Sequence, residues 1–90
     1  MVRRDVEIVN ARGLHARAAA KFVKLTSEFE ARVNVSKDGT CVSGDSIMGL
    51  MTLAASVGTT IRIEADGPDE AVVLEALAVL VAAGFEDDEG

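Results

Sequence analysis

The sequence predicts a two-layer α+β domain, with helices on one face of a β-sheet and solvent on the other. The chain has 90 residues, which is enough for one small hydrophobic core. Segments that alternate apolar and polar residues, as strands with one exposed face do, are interleaved with segments of helical period. They follow one another as strand, helix, strand, strand, helix, strand and helix. Half-polar strands in this order favour a sheet that is covered on one side only.

The first half of the chain predicts a strand, a long helix and a hairpin. Residues 5–9 alternate as a half-buried strand does, and residues 16–29 have helical period. One side of this helix is apolar and carries Ala18, Ala19, Phe22, Val23, Leu25 and Phe29. Residues 31–36 alternate again, and the Asp38-Gly39 pair that follows is a strong hairpin signal.

Cys41 lies on the returning strand of this hairpin, where we expect it to be a small core residue. It is the only cysteine of the chain, which excludes an intramolecular disulfide and a metal site built on cysteines. We expect neither a metal nor a cofactor.

The second half predicts a short helix, a strand and a final helix. The hydroxyl of Ser46 can cap a short helix within residues 47–54. Residues 60–66 alternate clearly as a strand. Residues 67–70 are typical of a helix start, with Pro68 at the first helical position. The last helix is predicted to bury Val73, Leu74, Leu77, Leu80 and Val81 and to end at Gly84.

The chain is acidic, and part of this charge is local. The net charge is −6, but four acids lie within residues 86–90, and residues 1–85 carry only −2. We therefore expect one domain at residues 1–85 and an acidic, disordered tail at residues 86–90. Nucleic-acid binding is not expected, because it usually needs a basic face and aromatic platforms. No segment suits a signal peptide or a membrane span, so we expect a cytoplasmic protein.

His15, the only histidine, stands at the predicted start of the first helix. Gly13 and Leu14 precede it, so none of the usual capping side chains is present. The open first-turn amides, the positive end of the helix dipole and Arg17 together form a site for an anion such as phosphate. The same dipole favours a neutral imidazole, whose nitrogen can accept a phosphoryl group. A lone histidine at a helix start is nevertheless more often an indifferent surface residue.

Two motifs decide between these interpretations. Residues 13–17 read Gly-Leu-His-Ala-Arg, and residues 46–51 read Ser-Ile-Met-Gly-Leu-Met. Together with the chain length, they closely resemble HPr, the histidine-containing phosphocarrier of the bacterial phosphoenolpyruvate phosphotransferase system. The resemblance extends from Val2 to about Phe85. It implies an open-faced β-sandwich of four antiparallel strands with three helices on one side, in the order βαββαβα.

The resemblance implies a phosphoryl carrier that is not itself an enzyme. Enzyme I, charged by phosphoenolpyruvate, would transfer a phosphoryl group to His15, which would pass it to an enzyme IIA-type protein. Arg17 would neutralise the phosphate, and the amides of Ala16 and Arg17 would bind its oxygens. Ser46, in its Ser-Ile-Met-Gly context, would be the target of HPr kinase/phosphorylase. We expect a monomer, because a carrier must present its histidine to each partner in turn.

Two surfaces near His15 are candidates for partner docking. A basic stripe on the first helix consists of Arg17, Lys21 and Lys24. An apolar patch is expected on the short helix, because two turns cannot bury so many apolar side chains. This patch consists of Ile47, Met48 and Met51. Each set also has an ordinary interpretation, as a solvated face or as core filling.

One position departs from the commonest family pattern. Ala18 stands where a proline usually follows the arginine, which frees one more N–H and loosens the backbone. This resembles the variant of the nitrogen-related branch, in which the relay regulates metabolism instead of driving sugar uptake.

Two other functions stay open. One is a regulatory module that acts through Ser46 and partner docking with His15 idle, and the other is a domain that binds a small ligand or nucleic acid.

Overall fold

The computed structural model describes residues 1–86. The strands are β1 (Val2–Glu7), β2 (Arg32–Lys37), β3 (Thr40–Ser43) and β4 (Thr60–Asp66), and the helices are α1 (Ala16–Thr26), α2 (Ile47–Thr52) and α3 (Glu70–Ala82). A 3₁₀ turn, Gly84–Glu86, follows α3. This order confirms the predicted succession of strands and helices. Glu86 of the predicted tail belongs to the 3₁₀ turn, and residues 87–90 lie outside the described part of the chain.

The four strands form one antiparallel sheet in the order β1-β4-β2-β3. Alternate side chains on the strands point into the core, and they include Val33, Val35, Ile61, Ile63 and Ala65. The three helices cover that face. The other face meets solvent, so the structure confirms the α+β class and the open-faced β-sandwich with helices on one side.

The core lies between the sheet and the helices. Its largest fully buried side chains are Phe22, Phe85, Ile8, Leu50, Ile61, Ile63, Leu77, Val35, Val73 and Val81. Leu50 is the residue that α2 contributes to this core. The other large apolar residues of α2, namely Ile47, Met48 and Met51, are exposed at the surface.

The open face of the sheet is polar. Arg62 on β4 donates hydrogen bonds from Nε and Nη2 to the two carboxylate oxygens of Asp5 on β1, at 2.8 and 3.4 Å. This guanidinium lowers the pKa of the Asp5 carboxyl below its ordinary value. Arg3 on β1 lies 3.9 Å from the carboxylate of Glu64. The charges of this face are thus arranged in cross-strand pairs.

The prediction that Cys41 is a core residue is wrong, because its side chain is exposed. In the antiparallel register, Val42 lies opposite the buried Val35, and Cys41 lies opposite Ser36. Adjacent strand residues face opposite sides of a sheet, so the inward position of Val42 sends Cys41 to the open face. Its location on β3, at the edge of the sheet, leaves it accessible.

Two helix boundaries differ from the predicted ones. Helix α1 ends at Thr26 instead of residue 29, and Ser27 then donates its hydroxyl to the carbonyl of Lys24 at 2.7 Å. Pro68 is not the first helical residue, because α3 begins at Glu70 with Asp69 as N-cap. The Asp69 carboxylate accepts a 2.7 Å hydrogen bond from the Glu30 amide, which ties it to the loop before β2 instead of the helix.

The end of α3 follows the prediction closely. Val73, Leu74, Leu77 and Val81 are buried, whereas Leu80 is half-buried and Ala78 takes a core position. Gly84 has a φ of +66°, the left-handed conformation expected of a glycine after a helix. Phe85 then turns back into the core.

Candidate functional site

A tight turn at residues 10–13 sets the position of the candidate site. The Gly13 amide donates to the Asn10 carbonyl at 3.1 Å, and Nδ2 of Asn10 donates to the Gly13 carbonyl at 2.9 Å. Gly13 has a φ of +66°, which a residue with a side chain rarely adopts. The next residue, the buried Leu14, donates its amide to the Ala55 carbonyl at 2.9 Å. The chain therefore reaches His15 from a fixed direction.

His15 is the N-cap residue of α1. Its backbone is extended, with φ −78° and ψ 179°, and its carbonyl accepts the first intrahelical bond from the Ala19 amide at 2.8 Å. Its side chain makes no capping hydrogen bond, and the first turn contains no acidic residue. The imidazole is half-buried. The uncapped helix start that the sequence predicted is therefore present.

The remaining predicted site residues lie in the first turn of α1. Ala16 and Arg17 are exposed, and Ala18, at the position that departs from the usual proline, is buried. The side chain of the N-cap residue does not cap this end of the helix, so the positive end of the dipole and the first amides lie beside His15 without that bond. Such an end favours an anion.

A shallow hollow of about 180 Å³ adjoins His15. It is lined by Arg12, Leu14, His15, Ala54, Ala55 and Ser56. Arg17 is not among the described residues that line it. Arg12 was missed by the sequence interpretation, although it is a cation only three positions before the histidine. The hollow brings together the turn before α1 and the loop after α2, which are about forty positions apart in the chain.

The second predicted site, Ser46, is the N-cap residue of α2. Its backbone is extended, with φ −117° and ψ 110°, and its Oγ accepts a 3.0 Å hydrogen bond from the Gly49 amide. The predicted capping role is therefore confirmed. Ser46 is half-buried, and the hydroxyl of Ser43 next to it donates to the carboxylate of Asp45.

The apolar patch on α2 is exposed as predicted. The exposed fractions are 39% for Ile47, 75% for Met48 and 42% for Met51. Helix α2 packs against α1, so this patch lies on the helix that neighbours the one headed by His15. Three apolar side chains that meet solvent on one short helix form a surface on which a partner could bury them.

The basic stripe on α1 is not uniform. Lys24 is exposed, but Lys21 is half-buried and donates from Nζ to the Phe85 carbonyl at 2.7 Å. A second contact joins Lys21 Nζ to the Glu86 carbonyl at 3.5 Å. Lys21 thus binds the 3₁₀ turn that follows α3, a contact that the helical pattern of the sequence did not predict.

Comparison with known proteins shows the family to which the chain belongs. The family model described as "PTS HPr component phosphorylation site" matches residues 2–83. The chain is 46% identical over 89 residues to the phosphocarrier protein HPr of Cupriavidus necator, covering 99% of this chain and all of that one. The HPr of Neisseria meningitidis is 47% identical over 89 residues, with the same coverage of both chains.

Solved structures of HPr proteins have the same fold. The crystal structure of HPr-C-His from Thermoanaerobacter tengcongensis superposes with a TM-score of 0.92 at 40% identity, covering 98% of this chain and 99% of that one. The phosphocarrier protein HPr of Bacillus anthracis superposes with a TM-score of 0.85 at 42% identity, covering 89% and 95%. A dimer of HPr from T. tengcongensis is also similar, with a TM-score of 0.77 at 40% identity, covering 97% of this chain and all of that one.

Fold and site together define a small open-faced β-sandwich with a histidine at an uncapped helix start. The chain belongs to the HPr family of phosphocarrier proteins of the phosphotransferase system. Members of this family carry a phosphoryl group between other proteins. No helix within residues 1–86 is long and apolar enough to cross a membrane.

Proposed function

We propose that this chain receives a phosphoryl group on His15 from phosphorylated enzyme I and passes it to an enzyme IIA-type protein. The observation that carries the proposal is the start of α1, where His15 occupies the N-cap position and its side chain makes no capping hydrogen bond to the first turn. The family supports the same role. We infer a cytoplasmic location, because the relay begins with phosphoenolpyruvate, a metabolite of the cytoplasm.

The transfer exchanges one phosphorus–nitrogen bond for another. In this proposal the donor group of enzyme I is a phosphohistidine. The unprotonated ring nitrogen of His15 attacks its phosphorus, and the P–N bond of the donor breaks as the new P–N bond forms. The donor ring, protonated on its other nitrogen, takes the electron pair of that bond and leaves as neutral imidazole. The reverse exchange with an acceptor histidine releases the group again, so the carrier is regenerated without a net reaction of its own.

The first turn of α1 stabilises the phosphorylated form. The amides of Ala16 and Arg17 bind phosphoryl oxygens, because they lie at the positive end of the dipole. The exposed guanidinium of Arg17 offsets part of the added charge with forked donors. Preorganised donors of this kind favour the charged product without the cost of reorganising the site.

Partners dock on the surfaces that flank His15. The apolar patch of Ile47, Met48 and Met51 supplies contact area, and the cations of α1 attract acidic partners. Lys24 is the exposed lysine of this stripe, whereas Lys21 also binds the turn after α3. A monomer suits this role, because a carrier must present the same histidine face to each partner in turn.

We also propose that HPr kinase/phosphorylase phosphorylates Ser46. The serine lies at a helix start and directly before the apolar patch. A phosphate there is tolerated by the helix dipole, but it places a dianion beside the docking surface. The modification therefore acts on partner binding and leaves the fold intact.

The decisive experiment measures the intact mass after incubation with enzyme I, Mg²⁺ and phosphoenolpyruvate. The wild-type chain should gain one acid-labile phosphoryl group, His15→Ala should gain none, and Ser46→Ala should be labelled like the wild type. Addition of an enzyme IIA domain should then remove the label. If an enzyme I that labels another HPr leaves this chain unmodified, the relay is excluded, and the function rests on Ser46 and docking.

Phosphorylation of Ser46 is tested separately with HPr kinase/phosphorylase and ATP. The wild type should gain an acid-stable phosphate that is absent from Ser46→Ala and present in Ser43→Ala, the matched control three residues away. Labelling of Ser46→Ala would exclude Ser46 as the site.

A further inference from the structure

We propose that Arg12 is a second cationic residue that binds the phosphoryl group on His15. This inference rests on the proposed phosphocarrier function and adds a residue to its site. Arg12 and His15 line the same hollow, next to Leu14 and the loop at residues 54–56. The hollow is open to solvent, so a phosphoryl group attached to the imidazole can occupy it.

The position of Arg12 is set by its neighbours. The turn at residues 10–13 is closed by two hydrogen bonds between Asn10 and Gly13, at 3.1 and 2.9 Å. Leu14 is buried and bound to the Ala55 carbonyl. The backbone on both sides of Arg12 is therefore fixed, and its side chain needs to lose only its own rotamer freedom to bind a ligand in the hollow.

The charge of Arg12 is not matched by a carboxylate. Three other arginines, Arg3, Arg4 and Arg62, lie within ion-pair distance of Glu64, Glu75 and Asp5 respectively. Arg12 is exposed and makes no ion pair or side-chain hydrogen bond with any residue of the described chain. None of the residues that line the hollow is acidic. The hollow therefore carries the positive charge of Arg12 and no negative charge, in a chain whose net charge is −6.

One arginine balances only part of the charge of a phosphorylated histidine. A phosphoryl group carries close to two negative charges at neutral pH. The first turn of α1 offers the dipole and Arg17 on the helix side, and Arg12 offers a forked guanidinium on the side of the hollow. Two guanidinium groups that approach from different directions can bind different oxygens of the same group.

The test uses inorganic phosphate as the probe. Titrations at constant ionic strength, followed by the amide NMR shifts of Ala16 and Arg17, give the Kd for the wild type, Arg12→Ala, Arg12→Lys and the control Arg32→Ala. Arg32 is an exposed arginine at the start of β2, so its removal changes the net charge equally. Constant ionic strength matters because long-range charge effects are screened by salt.

We expect Arg12→Ala to raise the Kd about three- to tenfold, the effect of one partly exposed charge-assisted contact. The Kd of Arg12→Lys should lie between those of the wild type and Arg12→Ala, because lysine keeps the positive charge but lacks the forked donors of the guanidinium. Arg32→Ala should bind like the wild type. An unchanged Kd for Arg12→Ala, an equal effect of Arg32→Ala, or no binding of phosphate by the wild type would each overturn the proposal.

Labelling by enzyme I separates this inference from the function on which it rests. Arg12→Ala should still be labelled on His15, but with a smaller phosphorylated fraction at equilibrium with the donor. If the wild type is labelled and Arg12→Ala reaches the same fraction, the role of Arg12 is excluded and the carrier function stands. If the wild type is not labelled, the carrier function itself fails, whatever the phosphate titration shows.

Discussion

Two helices of this chain begin in similar ways but use their first turns differently. His15 and Ser46 are both N-cap residues with an extended backbone. The hydroxyl of Ser46 accepts a hydrogen bond from the Gly49 amide, so α2 is capped by its own side chain. The side chain of His15 makes no capping bond to α1. One helix start is thus used for stability, and the other is left available for an anion.

The difference follows from how strongly the core holds each helix. Helix α2 has six residues and one buried side chain, so it depends on its cap. Helix α1 has eleven residues and buries Ala18, Ala19, Phe22 and Thr26, so it can do without one. A ligand site can therefore be placed at the start of the helix that is better held by the core.

The largest effect is expected from a change in the turn that carries His15. A Cβ on Gly13 would clash with the Ala55 carbonyl oxygen, and the residue has a φ of +66°. We expect Gly13→Ala to lower the free energy of unfolding by about 2–4 kcal/mol, because it combines backbone strain with overpacking. Urea denaturation measures this value.

Gly39→Ala is the matched control. Gly39 also has a positive φ, +85°, but a Cβ there would meet no atom within 4 Å. Its cost should be about 1 kcal/mol, from the backbone conformation alone. Equal losses for the two variants would mean that the contact with Ala55 does not hold the turn.

Removal of the cap on α2 should have the next largest effect. Ser46→Ala should lower the free energy of unfolding by about 1 kcal/mol, because the Gly49 amide loses its acceptor. Ser46→Asp keeps an acceptor and adds a charge that suits the helix start, so it should remain close to the wild type. Thermal and urea unfolding compare the three proteins. If Ser46→Asp lowers the free energy of unfolding as much as Ser46→Ala does, the serine stabilises the chain by something other than capping.

A cap added to α1 should have a smaller and opposite effect. His15→Ser should be more stable than His15→Ala by about 0.5–1 kcal/mol, because the serine can bond a first-turn amide. Neither variant should be labelled by enzyme I, so the cap would stabilise the chain while function is lost. The two variants are compared by urea unfolding under identical conditions. Equal stabilities would indicate that the first-turn amides already have other partners.

The smallest effect concerns a polar contact outside both helix starts. The pKa of Asp5 is lowered by the hydrogen bond from Arg62, so the folded chain holds this proton less tightly than the unfolded chain. Its contribution is therefore present above the ordinary value of 3.8 and is lost as the pH falls through the lower folded pKa. Because the pair is exposed on the open face, the contribution should be smaller than that of the Ser46 cap.

Asp5→Asn tests the contribution of the contact between Asp5 and Arg62. The difference in unfolding free energy between wild type and variant should be small at neutral pH and shrink as the pH is lowered below 3.8. A difference that stays constant across this range would mean that the charge of Asp5 is not what the contact uses.

Much of the fold could be predicted because it depends on local patterns. The alternation of residues 60–66 coincides with β4, and Asp38-Gly39 has the two positive φ values, +51° and +85°, of a tight hairpin turn. The N-cap role of Ser46 and the exposure of Met48 also followed from local composition. These features depend on neighbours within a few positions, and the sequence displays them directly.

The errors arose where distant parts of the chain meet. Asp69 shifts the start of α3 because its carboxylate binds the Glu30 amide, 39 positions away. Cys41 is exposed because the pairing of β3 with β2 decides which side chains face the core. Lys21 binds the Phe85 carbonyl across 64 positions, which no helical pattern reveals. Such contacts are set by packing, so local propensity does not predict them.

By itself, the sequence determined the succession of strands and helices, the uncapped helix start at His15 and the family to which its two motifs belong. Only the tertiary structure decided that Arg12 shares a hollow with His15, because that hollow forms where the turn before α1 is bound to Ala55 after α2. The physical reason lies in the range of the interactions. Backbone conformation follows from neighbouring residues, whereas a binding site is built from the few long-range hydrogen bonds and buried contacts that hold separate loops together.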